Sequence, residues 1–201
     1  MRAALFTILF CISVSCQAAT VIDVSQLLVP TKNDYGDGSG QIFTPGINGN
    51  LEGISVYLIK AGNGADVVLT VYTLNDTVTA FKSAVGTVTV KANLISAAGG
   101  WAYFDLPAAV SQTANVALAF TVSQPASGAT GYVNYGDNLT NPYDGGTFIH
   151  SSGLAFTRVP GTDLGFQTTV TPIPEAGTAL LVSVTLSGLA VRSRRGDRTS
   201  K

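Results

Sequence analysis

The side chains best able to do chemistry in this 201-residue chain are carboxylates, tyrosines and amides, because histidine and cysteine are almost absent. His150 is the single histidine, and Ser151 and Ser152 follow it directly. Sequence neighbours at a strand end are poorly placed to act as nucleophile and base, so His150 reads as a loop or structural residue. Both cysteines, Cys11 and Cys16, lie in the N-terminal leader, and the usual transition-metal ligand sets cannot be assembled from what remains. Hard cations are a separate matter. Asp34 and Asp37 stand in a glycine-rich run at 34–40, where oxygen donors on a flexible loop suit Ca²⁺, although the spacing does not match an EF-hand loop. Asp137, Asn138, Asn141 and Asp144 make a second oxygen-rich loop of the same kind. Apart from Ca²⁺ at these loops, no cofactor is expected.

Sugar is the other partner these residue types suit. Aromatic faces stack on sugar C–H surfaces while Asn and Asp hydrogen-bond the hydroxyls. Tyr132, Tyr135, Asn138, Asn141, Tyr143 and Asp144 concentrate those types in a predicted loop and strand edge. Trp101 is a weaker candidate, since a lone tryptophan in a sandwich commonly packs in the core or at its rim. Paired carboxylates could hydrolyse a glycosidic bond. Many of the carboxylates here, however, stand beside Gly or Asn in turn-like contexts, where a capping or turn-forming role explains them. A glycan-binding module or adhesin is therefore the alternative function, and a glycoside hydrolase ranks below it.

Charge narrows the partners further. Between residues 20 and 174 there are five basic residues (Lys32, Lys60, Lys82, Lys91, Arg158) and ten acidic ones, so the body carries 5 − 10 = −5. Nucleic acid, which needs clustered Lys and Arg, is excluded as a partner. The near-neutral whole-chain charge of −1 arises because terminal arginines offset an acidic body.

The elements that must position these residues read as strands. Short β-type runs alternate with Gly, Asn, Asp and Pro punctuation, and no long segment has a helical period. Strands are expected at 21–28, 41–44, 51–58, 67–72, 85–90, 101–106, 115–123, 131–135, 146–150 and 163–170. In 101–106, Ala102, Phe104 and Leu106 share one face and Trp101, Tyr103 and Asp105 the other. In 115–122 the even positions, Val116, Leu118, Phe120 and Val122, should point into the core. About ten short strands at this spacing predict an all-β fold, a β-sandwich or jelly roll. With no cysteine in the body, packing alone must stabilise it.

The two ends have other purposes. Residues 1–19 combine Arg2, a short apolar run and small residues before Ala18 and Ala19, the pattern of a cleaved export signal. Cys16 as a lipidation site is the lesser alternative, because Ser13 stands where a leucine is usual. Residues 20–170 form the sandwich domain, and 171–175 a proline-stiffened linker. Residues 176–191 are a charge-free run read as a single transmembrane helix, and 192–201 a basic cytoplasmic tail with Arg192, Arg194, Arg195 and Arg198. The body would then lie outside the cytoplasm.

Ile173-Pro174-Glu175-Ala176-Gly177-Thr178-Ala179-Leu180-Leu181, the apolar run and the terminal arginines together resemble the PEP-CTERM sorting signal of exported proteins in Gram-negative bacteria. One departure is Ala176, where the motif has its second proline. The resemblance implies Pro174, Glu175, Arg192, Arg194 and Arg195 as the sorting motif and an exosortase as the processing partner. It further implies passage through the inner membrane to the cell surface or extracellular matrix, alongside extracellular polysaccharide. Over about 40–170, the order of 41–46, 51–54, 100–106, 141–146 and 163–166 resembles the choice-of-anchor β-sandwich domains. The expected function is that of an exported, surface-sorted, non-enzymatic envelope or matrix protein.

Overall fold

The computed structural model describes residues 18–33, 38–61, 66–124, 132–140, 143–152 and 154–173. The expected signal helix and apolar C-terminal helix lie outside these residues. Among those described, no helix is long and apolar enough to cross a membrane.

The described chain is all-β, with thirteen strands and one 3₁₀ turn, Ala92–Leu94. In order, the strands are β1 Val21–Gln26, β2 Thr31–Asn33, β3 Ser39–Phe43, β4 Gly49–Ala61, β5 Val67–Leu74, β6 Phe81–Val90 and β7 Gly100–Gln112. They continue as β8 Leu118–Ser123, β9 Tyr132–Asn138, β10 Thr147–Ser152, β11 Ala155–Val159, β12 Asp163–Leu164 and β13 Phe166–Pro172. All pairings are antiparallel. A seven-stranded sheet follows the order β1-β13-β4-β9-β12, with β7 on the other side of β4 and β2 beside β9; a six-stranded sheet runs β11-β10-β3-β8-β5-β6.

One core lies between the sheets, and alternation along the strands builds it. On β7, Ala102, Phe104 and Leu106 are buried while Trp101, Tyr103 and Asp105 are exposed, as the sequence pattern requires. On β4, the inward residues Leu51, Ile54, Val56 and Leu58 break strict alternation between Leu51 and Ile54. Against β13, Gly53 and Leu51 pair with the adjacent residues Thr169 and Val170, so Glu52 is the extra residue of a bulge that keeps both side chains in the core. Phe43, Phe120 and Phe166 join the sheets, with ring centroids 5.7–6.3 Å apart in tilted pairs.

Three expectations need correction. The strand expected from 115 begins only at Leu118, because Asn115 takes a positive φ of 64° and the Val116 amide bonds the Thr113 carbonyl, closing a turn. Val116 is consequently exposed rather than core. On β8, Ala119 and Thr121 are buried along with Leu118, Phe120 and Val122, since this central strand is covered on both faces. Finally, β2 and β11 appear where no strand was expected, as short, partly exposed edge pieces held by β9 and β10.

The outer face of the six-stranded sheet carries a second, smaller apolar cluster of Ile42, Phe81, Ala119 and Ile149, packed with Tyr72, Val78 and Phe156. An Ala80–Ala155 bridge links the start of β6 to β11, the opposite edge strand. The sheet therefore curls around this cluster at one end. β1 and β13 pair through Val21 and Val170, so the described chain enters and leaves the sandwich side by side.

Candidate functional site

Residues 143–147 connect β9 to β10 across the end of the sandwich where the chain enters and leaves. Tyr143 fixes this segment. Its hydroxyl accepts from the Thr44 amide (2.9 Å) and donates to the Thr44 carbonyl (3.3 Å), and its ring stands edge-on to Phe166 at 5.4 Å. Its own amide donates to Asp163 Oδ2 (3.1 Å), and Gln41 Nε2 donates to Asp163 Oδ1 (2.7 Å). Gln41 Oε1 accepts from the Leu164 amide (3.0 Å), so a buried Gln–Asp pair ties β3 to β12 and to the segment. Burial raises the Asp163 pKa above the ordinary carboxylate value, and the bonds from Gln41 and Tyr143 oppose that rise. Burial also raises Tyr143.

Two clefts flank the segment. One, of about 340 Å³, has Ile42 and Ala117 as an apolar floor, with Asp144, Thr147 and Arg158 on its rim. Val78 closes one side with a φ of 54°, a left-handed conformation that is strained for a β-branched residue. Arg158 Nη2 donates to the Val78 carbonyl at 2.5 Å and holds that turn in place. The other cleft, of about 470 Å³, is bordered by Asp23, Ser25, Pro45, Gly46, Asn115 and Tyr143. Asp23 accepts from the Gly46 amide (3.0 and 3.2 Å) and from Gln112 Nε2 (2.7 Å), which also donates to the Ile47 carbonyl (2.9 Å). Each cleft is thus lined by one carboxylate, and the Asp23 carboxylate already orders a turn.

No family model and no curated protein matches this chain. Its site is read on geometry alone.

Of the residues expected to bind sugar, the side chains of Asn138, Tyr143 and Asp144 are among those described. Tyr143 is half-buried with both ring and hydroxyl committed to the fold, and Asp144 is exposed at the cleft rim. Asn138 is buried, and its Oδ1 accepts from the Thr140 amide (2.9 Å) and hydroxyl (2.6 Å), a turn-capping role. Asp137 is buried and accepts from the Thr31 hydroxyl. Tyr132 and Tyr135 lie on β9 opposite Ala61 and Leu58; their side chains, and Asn141, are outside the described residues. So are the proposed calcium ligands Asp34 and Asp37 and the sorting residues Pro174, Glu175, Arg192, Arg194 and Arg195. Among the described residues, no group of three or more His, Cys, Asp or Glu side chains could hold a metal ion. His150 is exposed, and Ser151 Oγ donates to the Gly38 carbonyl at 2.8 Å.

The sequence reading passed over Arg158 and Val78. A lone arginine carries no local motif, and only the curl of the sheet brings Arg158 to the 75–80 turn. For Trp101 and Tyr103 the signal was present, because alternation with Ala102 and Phe104 places both on the outer face.

Proposed function

We propose that this chain is an exported, surface-sorted, non-enzymatic protein of the cell envelope or extracellular matrix, processed at its C-terminal signal by an exosortase-type enzyme. The observation that carries this reading is the succession Pro174-Glu175, a charge-free run at 176–191 and the arginine cluster from Arg192. In it, residues 1–19 and 176–191 form the signal and anchor helices, and the body is a jelly-roll-type sandwich between them. The body's form supports the reading. Because Val21 pairs with Val170, a sorted sandwich would hang from one point with its far end free.

Fractionation of the producing cells tests the proposal. The mature protein is expected in the surface or matrix fraction. Replacing Pro174 and Glu175 by alanine should leave export intact and abolish the mature-size form. Full-length protein in the cytoplasm would overturn it.

A further inference from the structure

The outer face of the seven-stranded sheet presents aromatic rings to solvent, and glycines shape how they lie. Tyr103 on β7 reaches over Gly53 of β4, where any Cβ would collide with its ring (2.5 Å from Cζ). Its hydroxyl reaches toward the Thr169 side chain on β13, so the ring crosses one whole strand lying down on the sheet. One ring face rests on Gly53, and Tyr103 remains 46 % exposed. Trp101, two residues earlier on the same face, is 42 % exposed and meets Tyr57 edge-on, with centroids 5.5 Å apart at 85°. Tyr57 is seated over Gly99, whose φ of +89° and lack of Cβ admit its hydroxyl. Two residues with open rings are therefore rooted about 7 Å apart along the β7 backbone.

We propose that this face binds an uncharged, extended polysaccharide whose sugar rings stack on Trp101 and Tyr103. The surroundings select that partner. Tyr103 lies opposite Ser55, and Ser55 opposite Gln167, so hydroxyls and an amide border the rings where sugar hydroxyls need partners. Asp105 and Glu52 stand close enough to Tyr103 to act on it electrostatically, and the body carries a net −5. Those charges accept hydrogen bonds from neutral sugars and repel anionic chains. A stable protein interface buries about 800 Å² per partner around an apolar centre. Two rings among Ser, Thr and Gln do not supply that centre.

Position fits the same partner. The chain leaves the sandwich where Pro172 pairs with Gly49, and Tyr57 lies eight residues farther along β4. The Trp101–Tyr57 pair is therefore roughly 25 Å from the exit, and the Tyr103 ring, over Gly53, roughly 13 Å, both toward the free end. Meeting such a polymer in the cell rests on the proposed export, whereas binding is measured on purified protein, so each can fail without the other.

The test is co-sedimentation of the purified full-length protein with cellulose and chitin, with dextran affinity gels as a soluble neutral probe and alginate as an anionic one. Retention is expected on at least one neutral glycan and not on alginate. Trp101→Ala and Tyr103→Ala should each weaken it about tenfold or more. Tyr103→Phe, which keeps the ring, and Asp144→Ala, on the distant cleft, should bind like the parent. The proposal is overturned by no retention on any neutral glycan, by preference for alginate, or by alanine variants that bind unchanged. A concentration-dependent dimer that Trp101→Ala dissolves would likewise overturn it, assigning the face to a second copy of the chain.

Discussion

The two sheets share one core yet treat the aromatic residues on their outer faces in opposite ways. On the six-stranded sheet, Tyr72 stacks on Phe81 at 4.1 Å and 13°, Phe156 leans on Phe81 at 5.0 Å, and the curl through Ala80 and Ala155 covers the group. On the seven-stranded sheet, Trp101 and Tyr103 lie on an uncurled face with nothing from the described chain above them. The same chemical group thus serves two ends. Covered rings contribute burial to folding, whereas open rings retain apolar area that a partner can still remove from water. An outer aromatic is not by itself evidence of a site; whether the sheet closes over it decides.

The largest consequence is in stability. Phe81→Ala removes a buried ring that touches two others, and should cost about 3–5 kcal/mol in chemical unfolding of the full-length protein. Trp101→Ala removes a half-open ring with one edge contact, and should cost about 1 kcal/mol or less. Equal losses for the two would break the comparison, because Trp101 would then be packing its own fold.

A smaller effect is expected where a glycine sets a ring's posture. Gly53→Val places side-chain atoms where the Tyr103 ring now lies. Displacing the ring should cost about 1 kcal/mol, partly offset by the better strand propensity of valine. The sharper readout is NMR. In the parent, the ring current of Tyr103 should shift the Hα resonances of Gly53 upfield, and in the variant that shift should vanish. An upfield shift that persists at residue 53 would show that Tyr103 does not depend on the glycine for its place.

Much of this architecture was legible because period-two alternation is local. Ala102, Phe104 and Leu106 against Trp101, Tyr103 and Asp105 could be assigned to faces from six residues. What escaped depended on residues far apart in sequence. Nothing near Ala80 indicates that Ala155 will meet it, so neither the curl nor the cleft it forms with Arg158 could be foreseen. The tyrosine-rich segment shows what composition leaves open. Tyr143 and Asn138 have the composition of a sugar site, yet Thr44, Phe166 and Thr140 occupy their polar and aromatic surfaces in the folded chain. Composition identified a residue class, and only tertiary pairing showed which members stay open. For Tyr103 the missing information was Gly53, fifty residues earlier and brought beneath the ring by the pairing of β4 with β7.

The smallest expected effect concerns charge beside the open ring. The Tyr103 pKa is raised above its ordinary 10.0, first by partial burial on the sheet, then by the charge of Asp105, with the nearby Thr169 side chain opposing and Glu52 adding a lesser push. A phenol whose folded pKa exceeds its unfolded value holds more protons folded than unfolded as pH rises past 10. Its contribution to stability is therefore intact below that value and declines as pH climbs through the folded pKa. Asp105→Asn removes one neighbouring charge and leaves the ring's seat unchanged. Phenolate absorbance should then show Tyr103 titrating at lower pH than in the parent, yet still above 10, because burial is the larger cause. A titration that returns to the ordinary value in Asp105→Asn would mean the ring is not partly buried, and the contrast between a seated ring and a merely exposed one would fail.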